Sequence, residues 1–523
     1  MYTKSISLII VSFLFCNGLF AQNKDYSKEY ASEINVQSAK KHLTTLSSDE
    51  FGGRDTGKPS GHKAAKYLAE AFQQIGLSAP VNGGYLQKVP LVESVFETQE
   101  FSINGTEIKV GDGFYMTGSG NEKKIQSNNI VFIGYGISSP EYDDLANVDI
   151  EGKVVLLINE GEPMDPSGKS YITKTDSLSE WATSRNKRIQ AVLAKQPALI
   201  LAISSQVDTL LARYGQYFSR PRVSLKEDYK AQSAPAIAHI NEQLANRILT
   251  SNGTSIQALR DQINLTGKPA SRNLNVDILT TYGTRVKDLE ADNILGYLEG
   301  TDLKDELLVI SAHYDHVGID PTGDVFNGAD DDGSGTTGVL EIAKAFMKSK
   351  NEGHGPRRSI LFLLVTGEEK GLLGSDYYTK HPVFPLERTV TDLNIDMIGR
   401  IDPPHKTDTN YVYLIGSDKL SSTLHKLSEE ANQEYTQLKL DYKYNDPNDP
   451  ERIYYRSDHY NFAKNKIPVI FYFNGVHEDY HKVSDTVDKI NFEMLVKRAK
   501  LVFHTAWKVA NLDKRPVVDS NKK

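Results

Sequence analysis

The sequence predicts an α/β fold, with a mixed, mostly parallel sheet sandwiched by helices and a β-rich unit inserted into the chain. Three observations predict it. From about residue 292, apolar β-like runs alternate with helix-like stretches, the pattern of a sheet covered on both faces. Between about 110 and 270 the texture changes to short β-rich runs broken by glycine. The acids and histidines suited to chemistry stand at the ends of the apolar runs outside this block, and none falls within it.

Taken in order, residues 1–21 read as a secretory signal. A cationic start and a short apolar core precede Ala21, a small residue suited to cleavage. That run is too short to span a bilayer comfortably, and no other segment reaches transmembrane length. Cys16, the one cysteine in 523 residues, lies inside it. Acylation of Cys16 as a lipoprotein is the alternative, disfavoured by the bulky Phe15 before it. The mature chain then has no disulfides.

Residues 22–109 form the N-terminal part of the main domain. Two helical stretches are expected within 36–77. The clearer one places Ala65, Leu68, Phe72 and Ile75 at helical spacing and ends at Gly76. The insert, 110–270, carries strands around 130–136, 152–158 and 198–203, with a helix over 181–195. The main domain resumes over 271–512, with strands at 307–312, 359–366, 391–397 and 469–473. Helices are expected at 335–349, from 375, at 420–435 and at 491–511, the last with Phe492, Leu495, Ala499, Val502, Phe503 and Ala506 on one face. The tail, 513–523, is polar and expected to be loose.

A hydrophobic fraction of 39% over this length supports two or three domains with real cores. The net charge of −8 leaves no broad basic surface, which argues against a nucleic-acid partner. Oligomeric state has no signature here.

The chemistry is concentrated in a few places. Glu368 and Glu369 follow six apolar residues, 360–365, and two adjacent carboxylates there are costly unless a cation takes up their charge. His313 ends the apolar run that begins at 307, and Asp315, two residues on, is placed to accept its other ring N–H. Asp330, Asp331 and Asp332 crowd a loop between Gly328 and Gly333, and the central Asp331 is the one expected between two metals. Asp396 adds an acid within a short apolar segment. Tyr480 and His481 add a late histidine motif, in which His481 has rivals in His316, His459 and His477 that spacing does not separate.

Nitrogen and oxygen donors without cysteine favour zinc, with manganese or cobalt as substitutes. A G-x-G-x-x-G match at 333–338 follows three aspartates rather than a strand, so it does not read as a nucleotide site. No G-x-S-x-G elbow occurs, which argues against a serine triad.

Taken together, His313-x-Asp315, the 328–335 and 367–375 segments, 394–399 and Tyr480-His481 closely resemble the di-zinc aminopeptidase family, which includes the glutamate carboxypeptidase II and transferrin-receptor branches. Segments 132–137 and 149–155 look like a protease-associated domain often inserted in such enzymes, and 46–54 is similar to the family's start. The resemblance implies a zinc exopeptidase fold and two zinc ions. His313, Asp331 and Asp396 would hold one, and Asp331, Glu369 and His481 the other. It further implies Glu368 as general base, Asp315 supporting His313, and Tyr480 donating to the oxyanion.

The expected function is an exported di-zinc aminopeptidase acting on peptide substrates. The alternatives are a carboxypeptidase or dipeptidase, with Arg400 or Arg456 receiving a substrate carboxylate, and a non-catalytic binding protein of the transferrin-receptor kind.

Overall fold

Four parallel strands carry the architecture: Arg358–Val365, Leu303–His313, Thr389–Ile395 and Val469–Phe473, hydrogen-bonded in that order. The computed structural model describes residues 25–519 except 219 and 232. Residues 1–21, expected from the sequence to be a secretory signal and including Cys16 and Ala21, lie outside the described residues.

Alternation along these strands explains the layering. Leu308, Ile310 and Ala312 face one core, while Leu307 and Val309 face another on the opposite side of the sheet. Both faces are therefore apolar, and the strands carry long hydrophobic runs, interrupted in Thr389–Ile395 by the buried Asp392 and Asn394. The first face is covered by Val36–Leu46, Pro59–Ile75, Gly333–Asn351 and Phe492–Asn511, whose apolar residues join the larger core. Tyr378 and Phe462, from two short helices, close the second face.

Tyr411–Ile415, antiparallel to Val469–Phe473, and Lys439–Asp441 extend one edge. At the other edge stands a 27-residue strand, Arg272–Leu298, pairing antiparallel with Arg358–Val365. It continues into the insert, where it pairs with Lys123–Phe132 and, over residues 278–294, with Leu86–Ile103. Both crossings between main domain and insert are thus partners in one ladder.

The insert's core draws on residues from Phe101 to Tyr282, reaching beyond 110–270 on both sides. Its inner strands, Lys123–Phe132, Val154–Ile158, Leu199–Ile203 and Ala234–Ile240, are parallel to one another, with helices such as Arg185–Leu193 and Ile256–Thr266 against them. It is an α/β unit in its own right, more helical than a β-rich texture suggests, because glycine-broken runs show the strands and hide the amphipathic connections.

The tail also departs from expectation over its described part. Asp513 pairs with Arg357 at 2.6 Å, Arg515 donates to the Thr389 carbonyl at 2.9 Å, and Asp519 accepts from the Ser422 hydroxyl at 2.6 Å. Polar composition gave no hint of these partners, which lie far away in sequence.

Arg54 ties the N-terminal segment to the strand ends. Its buried guanidinium donates to the carbonyls of Tyr314 (2.7 Å), Leu46 (2.9 Å), Asn327 (2.7 Å) and Gly328 (2.8 Å). Arg54→Met leaves these acceptors unpaired in an acidic region. The expected loss is about 3 kcal/mol or more, read as a lower urea midpoint with unchanged m-value. An unchanged midpoint would show that the tie is dispensable.

Candidate metal centre

Because the four strands are parallel, their carboxyl ends meet along one edge, and the loops leaving them face each other there. His313 is the last residue of its strand. Its Nδ1 lies 3.1 Å from the Asp315 main-chain carbonyl, which leaves Nε2 turned into the site. The Asp315 carboxylate stands 3.7 Å from that ring. It accepts instead from the Thr56 hydroxyl at 2.8 Å and the Glu368 N–H at 3.1 Å. The main chain at Asp315 therefore orients His313, and its side chain fixes the turn that bears Glu368.

The three aspartates divide their work. Asp332 caps the Gly333–Asn351 helix by accepting from the Gly335 N–H, and also holds the Met397 N–H, both at 2.9 Å. Asp330 accepts from the Gly399 N–H at 2.7 Å and the Ser334 hydroxyl at 2.9 Å. Only Asp331 points into the site. The Asp485 carboxylate behind it accepts from the N–H groups of Asp330 and Asp331, at 3.0 and 3.2 Å.

Two clusters share Asp331. On one side, His313 Nε2 lies 3.4 Å from Asp331 Oδ1 and 3.6 Å from Asp396 Oδ1. On the other, His481 Nε2 lies 3.0 Å from Asp331 Oδ2 and 3.1 Å from Glu369 Oε2. Glu368 Oε2 stands 3.9 Å from His313 Nε2, and Glu368 lines a small cavity with Arg456, Tyr480, Met397, Ile453 and Phe473. The Tyr480 ring stacks on His481 with centroids 3.9 Å apart. All eight residues singled out from the sequence come together here.

These contacts fit a metal better than they fit hydrogen bonds. Donors around a tetrahedral ion bound at about 2.0–2.1 Å stand roughly 3.3 Å apart, close to the spacings found. His313 Nε2, Asp331 Oδ2 and Glu369 Oε1 are buried and have no hydrogen-bond partner, a costly arrangement unless a cation sits among them.

The protonation pattern of the site agrees. Burial, opposed by His313 and reinforced by Glu369 and Asp396, holds Glu368 well above the usual carboxyl range. Burial and Asp331 push Glu369 upward, but His316 and His481 outweigh them and bring it down to about 2. Against burial, Asp331 and Glu369 push His481 up to about 10. The charge that these carboxylates draw onto His481 is the same attraction a divalent cation would feel among them.

The rivals of His481 sort themselves by position. His477 Nε2 lies behind the site, 3.2 Å from Asp330 Oδ2. His459 is stacked on Phe471 in the core. His316, which spacing did not single out, enters the second cluster, with Nδ1 2.9 Å from Glu369 Oε1. Arg400 is committed to Asp479 at 2.8 Å. Arg456 is exposed and donates to the Tyr480 hydroxyl at 3.4 Å.

Residues 293–506 match the model of peptidase family M28. A vacuolar membrane protease of Tuber melanosporum is 30% identical over 204 residues, covering 36% of this chain and 19% of that protein. An aminopeptidase of Bacillus subtilis is 33% identical over 111 residues, covering 21% of this chain and 22% of that protein. The chain thus spans less than a quarter of the length of these curated relatives. Among solved structures, an aminopeptidase from Aneurinibacillus sp. strain AM-1 aligns over 94% of this chain and 98% of its own, at 17% identity and a TM-score of 0.52. A zinc aminopeptidase from Bacillus subtilis aligns over 94% and 99%, at 17% identity and 0.50. These two share the fold.

Burial holds His459 down at about 3, against 6.5 for a free histidine. Between these values the unfolded chain binds the extra proton, so this group removes stability as pH falls from 6.5 towards 3. The loss reaches about 2 kcal/mol by pH 5. In urea unfolding at pH 7 and pH 5, His459→Phe should lose less stability than the parent by about that amount. Equal losses would show that His459 does not titrate in this way.

Proposed function

We propose that this chain, whose residues 293–506 belong to peptidase family M28, is a two-zinc exopeptidase that releases N-terminal residues from peptides. The observation that carries the reading is the division of Asp331, one carboxylate oxygen toward His313, which also faces Asp396, and the other toward His481, which also faces Glu369. His313, Asp331 and Asp396 would hold one ion, and Asp331, Glu369 and His481 the other.

Two such ions, when bound, would acidify a water and polarise a scissile carbonyl. Glu368 takes the proton of the attacking water and delivers it to the leaving amine. It is the glutamate of the pair that lines the cavity, whereas Glu369 faces the histidines. The Tyr480 hydroxyl, at the same cavity, donates to the developing oxyanion. The Asp315 carboxylate holds the Glu368 N–H, so the base stays aimed while its side chain moves a proton.

The apolar lining from Met397, Ile453 and Phe473 suits an uncharged side chain on the substrate. The Bacillus subtilis aminopeptidase matched over 111 residues supports action at the amino end. Export directed by residues 1–21 and a protease-associated role for the insert complete the reading.

One observation favours a second reading. Arg456, exposed beside the cavity, makes no ion pair among the described residues, so it is available to a substrate carboxylate, as a dipeptidase would need.

Glu368→Gln should keep both ions and lower kcat by about 10²–10⁴-fold, whereas Glu369→Gln should lose metal first. Metal analysis beside steady-state kinetics separates them, and equal metal loss in both variants would cancel the division of roles. N-acetylation should abolish turnover of peptides whose C-terminal amides are still cleaved. The reverse preference would move the assignment to a C-terminal or dipeptide substrate, and a purified protein with no zinc-dependent activity on any such panel would end it.

A further inference from the structure

We infer that His316 is a ligand of the ion held by Asp331, Glu369 and His481, giving that site four protein donors while the His313 site keeps an open position. The inference rests on the two-metal reading above.

His316 follows the end of the Leu303–His313 strand by three residues, and its backbone is held against the N-terminal segment through a bridge to Asp55 and an N–H donated to the Arg54 carbonyl at 3.4 Å. The side chain is fully buried. Its Nδ1 stands 2.9 Å from Glu369 Oε1 and 3.7 Å from Asp331 Oδ2. Despite the short approach, neither Nδ1 nor Glu369 Oε1 finds a hydrogen-bond partner. With Asp331, these two residues form one group close enough together to hold an ion. Nε2 is also without a partner, so no acceptor elsewhere in the fold fixes the ring in another tautomer.

The backbone makes room for this ring. Gly328 has a φ of +53°, and a Cβ there would stand 2.6 Å from His316 Cγ and Cδ2. A side chain at 328 would displace the imidazole.

The two sites then differ in kind. His316, Asp331 and Glu369 stand as one group, and with His481, 3.0 Å from Asp331 and 3.1 Å from Glu369, they would make a four-donor set, the arrangement of tightly held zinc. His313, Asp396 and Asp331 make a three-donor set beside the cavity that Glu368 and Tyr480 line, leaving a position for water or substrate. One ion should bind tightly, and the other should exchange.

The test uses the whole protein stripped of metal, reloaded with zinc and examined by zinc-edge X-ray absorption. With one equivalent, two imidazoles per ion are expected, from His316 and His481. One imidazole per ion overturns the inference. In parallel, competition against a chromophoric chelator should show the tighter site weakened by about tenfold or more in His316→Asn, with the weaker site unchanged. Equal affinities in parent and variant would also overturn it. The parent measurement needs no substitution, so a variant that fails to fold leaves the test intact. A parent that binds no zinc sinks the two-metal reading itself, a result distinct from two ions bound with one imidazole each.

Discussion

The structure turns on the cost of burying carboxylates together. Asp315, Asp330, Asp331, Asp332, Asp396, Glu368, Glu369 and Asp485 all meet at one sheet edge, largely out of contact with water. Ionised side by side in a low-dielectric interior, they would destabilise the fold by far more than its net stability unless counter-charge is supplied. The chain supplies it in layers. Arg54 lies beneath the loops, His477 faces Asp330, and Arg400 pairs with Asp479 close to Asp485. Backbone N–H groups donate to one oxygen each of Asp315, Asp330, Asp332 and Asp485. Buried oxygens of Asp331 and Glu369 are among those left without a partner, and it is there that the imidazoles converge.

This layering explains why elements distant from the chemistry are tied so firmly to it. The N-terminal segment contributes Thr56 to Asp315 and Arg54 to four carbonyls, so the loops that bear Asp315, His316 and Asp331 share a single anchor. The Gly333–Asn351 helix begins at Asp332, whose carboxylate also holds the Met397 N–H next to Asp396. A shift in any one loop would be felt by the others. The adjacent Glu368 and Glu369 can hold different partners because Gly367, at φ +70°, sets a tight turn from which the two side chains diverge.

Much of this was legible in the sequence. Three of the four parallel strands contain apolar runs because both faces are buried, whereas Thr389–Ile395 is broken by Asp392 and Asn394. The ligand-bearing residues end those strands or lie in the loops after them. Strand Leu86–Ile103 and its long partner Arg272–Leu298 were harder to see. Many of their positions are half-exposed, and their pairing depends on contacts between residues far apart in the chain. The tail shows the same dependence, since Asp513, Arg515 and Asp519 acquire partners only when the chain has folded back.

The sequence by itself determined the donor types, their order and their places at strand ends, because the hydrophobic pattern that makes a buried strand also marks where it stops. Tertiary structure decided which of several equivalent-looking groups faces inward. Among three consecutive aspartates only Asp331 enters the site, and among four late or nearby histidines His481 and His316 do so while His459 and His477 serve elsewhere. Spacing along a chain constrains distance but not direction. The direction of each side chain came from hydrogen bonds and close approaches, such as Gly328 against His316, that exist only in the folded protein.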